Sequence, residues 1–239
     1  MATFIFVAGA MHGAWTWDRV TPILAQAGHE SMAIDLPGMG GDTSVAHADV
    51  TLDLWGEHVA DIARTAPDPV ILVAHSRGGV VIGEAAERAP ASIRGLIYVA
   101  AIIAPPGLSA LEASGLRHDP TLTAGHPASI SYPPDLAMSL FYNCCTQADA
   151  VWATAKLELE PAGPIATPAT VSWERWGQLP RAYIECLQDR ALSMARQQAM
   201  QAVAPCDPVV RIDTDHSPFF STPDGLGEAL LGIARGWGC

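Results

Sequence analysis

The run Val70-Ile71-Leu72-Val73-Ala74 has no polar side chain and leads straight into His75-Ser76-Arg77-Gly78-Gly79. A short run of β-branched and apolar residues, introduced here by Pro67 and Pro69, reads as a strand buried on both faces. Such a strand belongs inside a parallel sheet with helices packed on either side. The residues from Gly78 to 89, ending before Pro90, have helical character. The chain must therefore turn from a central strand into a helix across His75, Ser76 and Arg77.

The same rhythm recurs along the chain. Apolar strands are predicted at 3–8, 30–34, 93–99, 181–186 and 208–212, and helices at 15–26, 51–65, 78–89, 193–203 and from 223 onward. Pro22 is the awkward member of the first helix. Strands alternating with helices predict an α/β fold, a doubly wound and mostly parallel sheet. After Ala104-Pro105-Pro106-Gly107 the rhythm breaks. The 107–178 segment is rich in Pro, Gly, Thr and Trp and shows only short helical stretches near 136–144 and 149–157. It is expected to be a lid inserted into a core formed by 1–106 and 179–239. So many prolines would leave it a poor core of its own.

Ala74-His75-Ser76-Arg77-Gly78 follows the G-x-S-x-G pattern with Ala74 in the first glycine's place. Between a strand and a helix, this pattern is a sharp turn that lifts the serine hydroxyl above the sheet edge. Small residues two positions before and after Ser76 let strand and helix approach each other. A hydroxyl is a weak nucleophile near neutral pH and needs a base within hydrogen-bond reach. Of eight histidines, His216 lies in Thr214-Asp215-His216-Ser217-Pro218, beyond the last strand and at the sheet edge expected for Ser76. His29, His47, His58, His118 and His126 fall on expected surface helices, loops or lid. His75 is expected to point away from Ser76. Asp189 follows the strand at 181–186 and completes the chain order Ser, Asp, His. Asp213 and Asp215 are too near His216 along the chain to be preferred, and the segment after the preceding strand, Ala100-Ala101-Ile102-Ile103-Ala104-Pro105, has no carboxylate. The first loop, Gly9-Ala10-Met11-His12-Gly13, can donate a backbone N–H from Ala10 to a developing oxyanion, and Arg77 can donate a second from its own backbone. Gly9 and His12 are candidate substrate contacts. A nucleotide-binding turn is disfavoured there because the loop lacks G-x-G-x-x-G.

Residues 4–17 (FIFVAGAMHGAWTW), 34–38, 73–79, 183–190 (YIECLQDR) and 215–220 (DHSPFF) together resemble the α/β-hydrolase branch of plant methylesterases, hydroxynitrile lyases and bacterial carboxylesterases. The resemblance covers the catalytic core and not the lid. It implies Ser76, Asp189 and His216 as a triad, and Ala10 and Arg77 as the oxyanion hole. The chain departs from that pattern in four places. Ala8 replaces a histidine. Gly9 and Ser217 replace a threonine and a lysine of the lyases, and that lysine holds the cyanide leaving group. Arg77 replaces an apolar or small polar side chain. Its guanidinium would either reach the pocket, where it could pair with an anionic substrate, or form a surface salt bridge.

These readings converge on a serine hydrolase that cleaves a small-molecule carboxylic ester through an acyl-enzyme. Lyase, lactonase or C–C bond hydrolase chemistry on the same triad stands as an alternative, as does a catalytically weak ligand-binding relative. Phe141, Trp152 and Trp176, with Met138 and Trp173, either line an apolar cavity for an apolar or aromatic substrate or pack the lid on the core. No metal or cofactor is implied. A net charge of −12, from 13 basic and 25 acidic residues, disfavours nucleic acid and anionic membranes. No run reaches the length of a membrane span, and the apolar N-terminus lacks a basic flank and reads as a strand. Five cysteines without metal-like spacing fit a reducing cytoplasm. A homodimer is left open.

Overall fold

The computed structural model describes residues 1–116 and 128–239. His118 and His126 lie outside the described residues. The chain opens with β1 (Thr3–Val7), α1 (Thr21–Gln26), β2 (Glu30–Ile34), α2 (Leu52–Thr65), β3 (Val70–His75), α3 (Gly78–Arg88) and β4 (Ile93–Val99). It then leaves the sheet for α4 (Ala110–Ser114), β5 (Ser129–Ile130), α5 (Pro134–Phe141), α6 (Gln147–Thr154), β6 (Glu160–Pro161) and α7 (Ala162–Ala166). It returns through β7 (Arg181–Cys186), α8 (Met194–Val203), β8 (Val209–Ile212), α9 (Pro218–Ser221) and α10 (Pro223–Gly236). The main sheet has six strands in the order β2-β1-β3-β4-β7-β8, and every pairing in it is parallel. This is the doubly wound arrangement that the strand–helix rhythm predicts.

The strand pleat sorts the core into two layers. Ile5, Val7, Val70, Leu72, Ala74, Leu96 and Tyr98 point to one face, where they meet Trp55 and Val59 of α2 and Val80 to Ile82 of α3. Phe4, Phe6, Ile71, Val73, Ile97 and Val99 point to the other, against Trp17, Leu24 of α1 and Leu226 and Leu230 of α10. All six residues of β3 are buried. Each fully buried large aliphatic side chain there contributes about 1.5–3 kcal/mol relative to exposure.

Local chemistry accounts for two shifted boundaries. The helix expected over 15–26 splits into a 3₁₀ turn at Ala14–Trp17 and α1, because Pro22 lacks an N–H and sits in the first turn of a new helix. The stretch expected from 149 starts two residues earlier, because Thr146 caps α6 by accepting from the Asp149 N–H at 3.1 Å.

The turn between β3 and α3 is the tightest part of the fold. Ser76 has φ +49, a left-handed conformation unfavourable for a side-chain-bearing residue by roughly 1–2 kcal/mol. Its carbonyl accepts from Ile102 N at 2.8 Å and Gly79 N at 3.1 Å, and its N–H donates to Val99 O at 3.3 Å. A Cβ on Gly78 would lie 2.7 Å from Ala8 O, and one on Gly79 would lie 2.3 Å from Ile102 O. Only glycine lets α3 start this close to the ends of β1 and β4.

Among the described residues no helix is long and apolar enough to cross a membrane. Gly79→Ala is expected to lower the unfolding free energy by about 1–3 kcal/mol, seen as a lower urea midpoint. Gly232→Ala in α10, where the nearest atom to an added Cβ is Arg235 Nη2 at 3.8 Å, should leave the midpoint unchanged or raise it.

Candidate active site

Four loops meet over the carboxyl end of the sheet. The loop after β1 brings Gly9 to Met11, the turn after β3 brings Ser76 and Arg77, the loop after β7 brings Asp189, and the loop after β8 brings His216. Ala10, Ser76, Arg77 and His216 line one cavity of about 300 Å³, together with residues of the segment between β4 and β7.

His216 is buried, and its Nδ1–H donates to Asp189 Oδ2 at 2.7 Å. This bond leaves Nε2 as the free ring nitrogen. Asp189 is held on both oxygens. Oδ1 accepts from the Ala191 and Leu192 N–H groups at 2.8 and 2.7 Å, and Oδ2 also takes a longer contact from Gln197 Nε2 at 3.4 Å. Gln197 is fully buried and is fixed by Leu192 O at 2.8 Å and by the Cys186 backbone. The other nearby carboxylates are committed elsewhere. Asp215 accepts from Ser217 N at 3.0 Å, Ser221 Oγ at 2.8 Å and Cys144 N at 2.6 Å. Asp213 accepts from Gln188 Nε2 at 2.9 Å on the surface.

The backbone N–H groups of Ala10 and Arg77 have no protein acceptor among the described residues. Both residues line the cavity beside Ser76. Gly9 lies behind Ser76: a Cβ there would stand 2.9 Å from Ser76 Cβ and 2.6 Å from His75 Nδ1. A threonine at this position would collide with both.

Several candidate contacts fall outside the cavity lining. His12 is 2% exposed; its Nδ1–H donates to Ala10 O at 2.6 Å and its Nε2 accepts from Tyr142 Oη at 2.7 Å. Its polar atoms shape the loop and face no substrate. Trp152 is 43% exposed and packs edge-on to Trp15 and Phe220 on the outer surface. Trp176 lies in the core on the α2 and α3 face of the sheet, with Nε1 donating to Tyr98 Oη at 3.2 Å and the Arg181 guanidinium 4.4 Å above its ring. Trp173 leans on Trp176, and Met138 packs on the core cluster. Of the aromatic candidates Phe141 does line the cavity, its ring stacked 5.6 Å from that of His216. His47 is not a solvated histidine: it bridges Gly38 O at 3.0 Å and Ser129 Oγ at 2.8 Å.

Arg77 forms a buried salt bridge in place of a surface one, and both it and its partner Glu160 line the cavity. It is 2% exposed and pairs, Nε to Oε1 at 2.7 Å, with Glu160, itself 1% exposed. The pair is buried, and the guanidinium is already neutralised by protein. Glu160 was hidden from sequence reasoning, since a carboxylate within Leu157-Glu158-Leu159-Glu160-Pro161 carries no local sign of its partner. Gln197 was hidden for the same reason.

Burial holds two histidines around the site neutral. His12 is lowered to about 3 by desolvation, which outweighs the bond to Ala10 O. His75 is also pushed well below the ordinary histidine range by burial, with His216 and His12 nearby adding to the effect. His75 donates Nε2–H to His216 O at 2.8 Å, which ties the elbow to the His216 loop.

The alpha/beta hydrolase family matches residues 4–229, and the chain belongs to that family. It is 31% identical to methyl jasmonate esterase 1 of Vitis vinifera, with 98% of this chain and 97% of the relative covered. It is 30% identical to putative methylesterase 11, chloroplastic, of Arabidopsis thaliana over 97% of this chain, and spans 64% of that relative's length. Among solved structures it is similar to a methylesterase from Arabidopsis, with TM-score 0.85, 27% identity and 98% and 99% of the two chains covered. It is also similar to a pyrethroid hydrolase, with TM-score 0.82, 27% identity and 98% of each chain covered.

The neutral histidines set a sign for stability against pH. An unfolded chain takes up a proton on each near pH ~6.5, while folded His12 resists until about 3. Stability should therefore fall as pH drops through that window, by on the order of 1.4 kcal/mol per pH unit for each such histidine. His12→Gln should make the slope of unfolding free energy against pH shallower between about pH 6 and 4.5, measured by urea titration at each pH.

Proposed function

We propose that the protein hydrolyses a small carboxylic ester through an acyl-enzyme on Ser76. The observation that carries the reading is the 2.7 Å bond from His216 to Asp189, with His216 and Ser76 lining one cavity. In the mechanism this supports, Ser76 Oγ attacks the ester carbonyl carbon and passes its proton to His216 Nε2. Asp189 holds the ring in the tautomer that leaves Nε2 free and stabilises its cation. The carbonyl oxygen, now an anion, accepts from the Ala10 and Arg77 N–H groups. Collapse breaks the bond to the alcohol oxygen, which leaves with the proton from His216. Water, deprotonated by His216, then attacks the acyl-enzyme and releases the acid and free Ser76.

The cavity supports an apolar acyl or alcohol group. Ile102, Ile130, Leu140 and Phe141 line it, with Arg190 and Arg196 toward the loop after β7. The relatives named as methylesterases support a small alcohol on the other side of the bond. Residues 107–178 act in this reading as a lid on a core formed by 1–106 and 179–239. Cyanohydrin cleavage is disfavoured because Ser217, whose N–H is engaged by Asp215, offers no cation beside His216 to hold a cyanide anion.

Turnover of p-nitrophenyl acetate tests the reading. Ser76→Ala and His216→Ala should each lower kcat by about 10⁴-fold or more, leaving residual rate above water. Asp189→Asn should also be severe, and more so than Asp215→Asn. Activity of the Ser76 variant within a few-fold of the parent would refute the assignment. A sulfonyl fluoride should modify the peptide containing Ser76 and no other, as read by mass spectrometry.

A further inference from the structure

The serine-hydrolase reading needs the Ala10 N–H to aim at one point, yet Ala10 sits in a loop with no regular structure around it. The loop's polar atoms show how it is held. Gly9 O accepts from Arg77 Nη2 at 3.0 Å and from His12 N at 3.3 Å. Ala10 O accepts from His12 Nδ1 at 2.6 Å. Met11 N donates to Glu160 Oε2 at 2.8 Å, and Met11 takes a left-handed φ of +63. Among the backbone polar atoms of these two peptide units and the next N–H, only the Ala10 N–H is left over.

A trans peptide is planar, with its C=O and N–H pointing in opposite directions. Fixing Gly9 O on the guanidinium therefore aims the Ala10 N–H the other way. Arg77 would thus serve twice: its backbone N–H is one oxyanion donor, and its side chain sets the direction of the other. Glu160 reaches in from β6, outside the main sheet. It holds the guanidinium through Nε at 2.7 Å and Nη2 at 3.3 Å, while the same carboxylate holds Met11 N. The Trp55 ring, 4.4 Å from the guanidinium carbon, closes the opposite side. An apolar pair of similar volume would fill this space without desolvating two charges, but it could reach neither Gly9 O nor Met11 N.

We propose that Arg77 and Glu160 are positioning residues for the oxyanion hole, a buried ion pair through which the segment between β4 and β7 fixes the direction of the Ala10 N–H. The proposal rests on the serine-hydrolase reading. It assigns the arginine to the loop carbonyl and not to an anionic substrate.

The test compares the parent with Arg77→Met, Glu160→Gln and the double variant Arg77→Met/Glu160→Leu, using p-nitrophenyl acetate and a trifluoromethyl ketone that adds Ser76 to form a tetrahedral anion. Misaiming one donor should lower kcat in Arg77→Met by about ten- to hundred-fold, with KM within about threefold. Affinity for the ketone should fall in parallel with kcat/KM. Glu160→Gln, which keeps an acceptor for Met11 N, should show a smaller loss of the same kind and stands in if Arg77→Met does not fold. The double variant leaves no buried charge unpaired, so it should regain Tm without regaining kcat. Recovery of kcat along with Tm would make the pair mere packing and overturn the proposal, as would a loss confined to KM. A parent with no turnover and no Ser76 labelling would instead defeat the hydrolase reading, a result the variants do not affect.

Discussion

The site depends on how closely α3 can start behind β3. Ser76 is held at φ +49 with its carbonyl taken by Ile102 N and Gly79 N, and Gly78 and Gly79 let the helix sit against the carbonyls of Ala8 and Ile102. The strain at Ser76 is local, and the packing that sustains it is not. β1, β3 and β4 lie side by side in the sheet, and the carbonyls that confront the two glycines lie just beyond the ends of β1 and β4. The same contact brings the loop after β1 beside Ser76. A looser turn would separate the hydroxyl from the Ala10 N–H and leave two halves of one site on different supports.

Around this turn, burial sorts the ionisable groups by the partners they find. His216 keeps a carboxylate that is fixed on both oxygens and backed by Gln197. His12 and His75, equally buried but facing carbonyl and hydroxyl groups, are held neutral. Asp215, adjacent to His216 in sequence, spends its oxygens on the Cys144 N–H and on the two ends of α9, Ser217 N and Ser221 Oγ. It thereby fastens the His216 loop to the turn between α5 and α6. One histidine is thus paired with a carboxylate, while its neighbours fix the geometry of the loops around it.

Fold and site were unevenly legible in the chain. Strands and helices could be read because a buried strand flanked by Pro or Gly, or a helix with one apolar face, is a property of a short window. Ser76 was legible because small residues at fixed spacing are what a strand-to-helix turn needs. Asp189 and His216 could be placed by strand order, since consecutive parallel strands end on one edge. The aromatics of the segment between β4 and β7 were not legible. Trp152 and Trp176 are aromatic as cavity walls often are, but one packs outward on Trp15 and Phe220 and the other in the core against Tyr98 and Arg181. Which face of a short irregular helix turns inward is set by how the segment folds back, and the segment's own periodicity is too weak to say.

The sequence by itself determined the parallel α/β architecture, the elbow at Ser76 and the chain order of hydroxyl, carboxylate and imidazole, because each rests on sterics or patterning within a few residues. Only the tertiary structure decided that Arg77 turns away from solvent to meet Glu160, that Gln197 backs Asp189, and that His12 spends both nitrogens inside the protein. Those outcomes depend on which buried donor finds which acceptor across loops far apart in the chain. A buried charge or polar hydrogen must be matched wherever the fold has brought a partner, and no local pattern encodes where that will be.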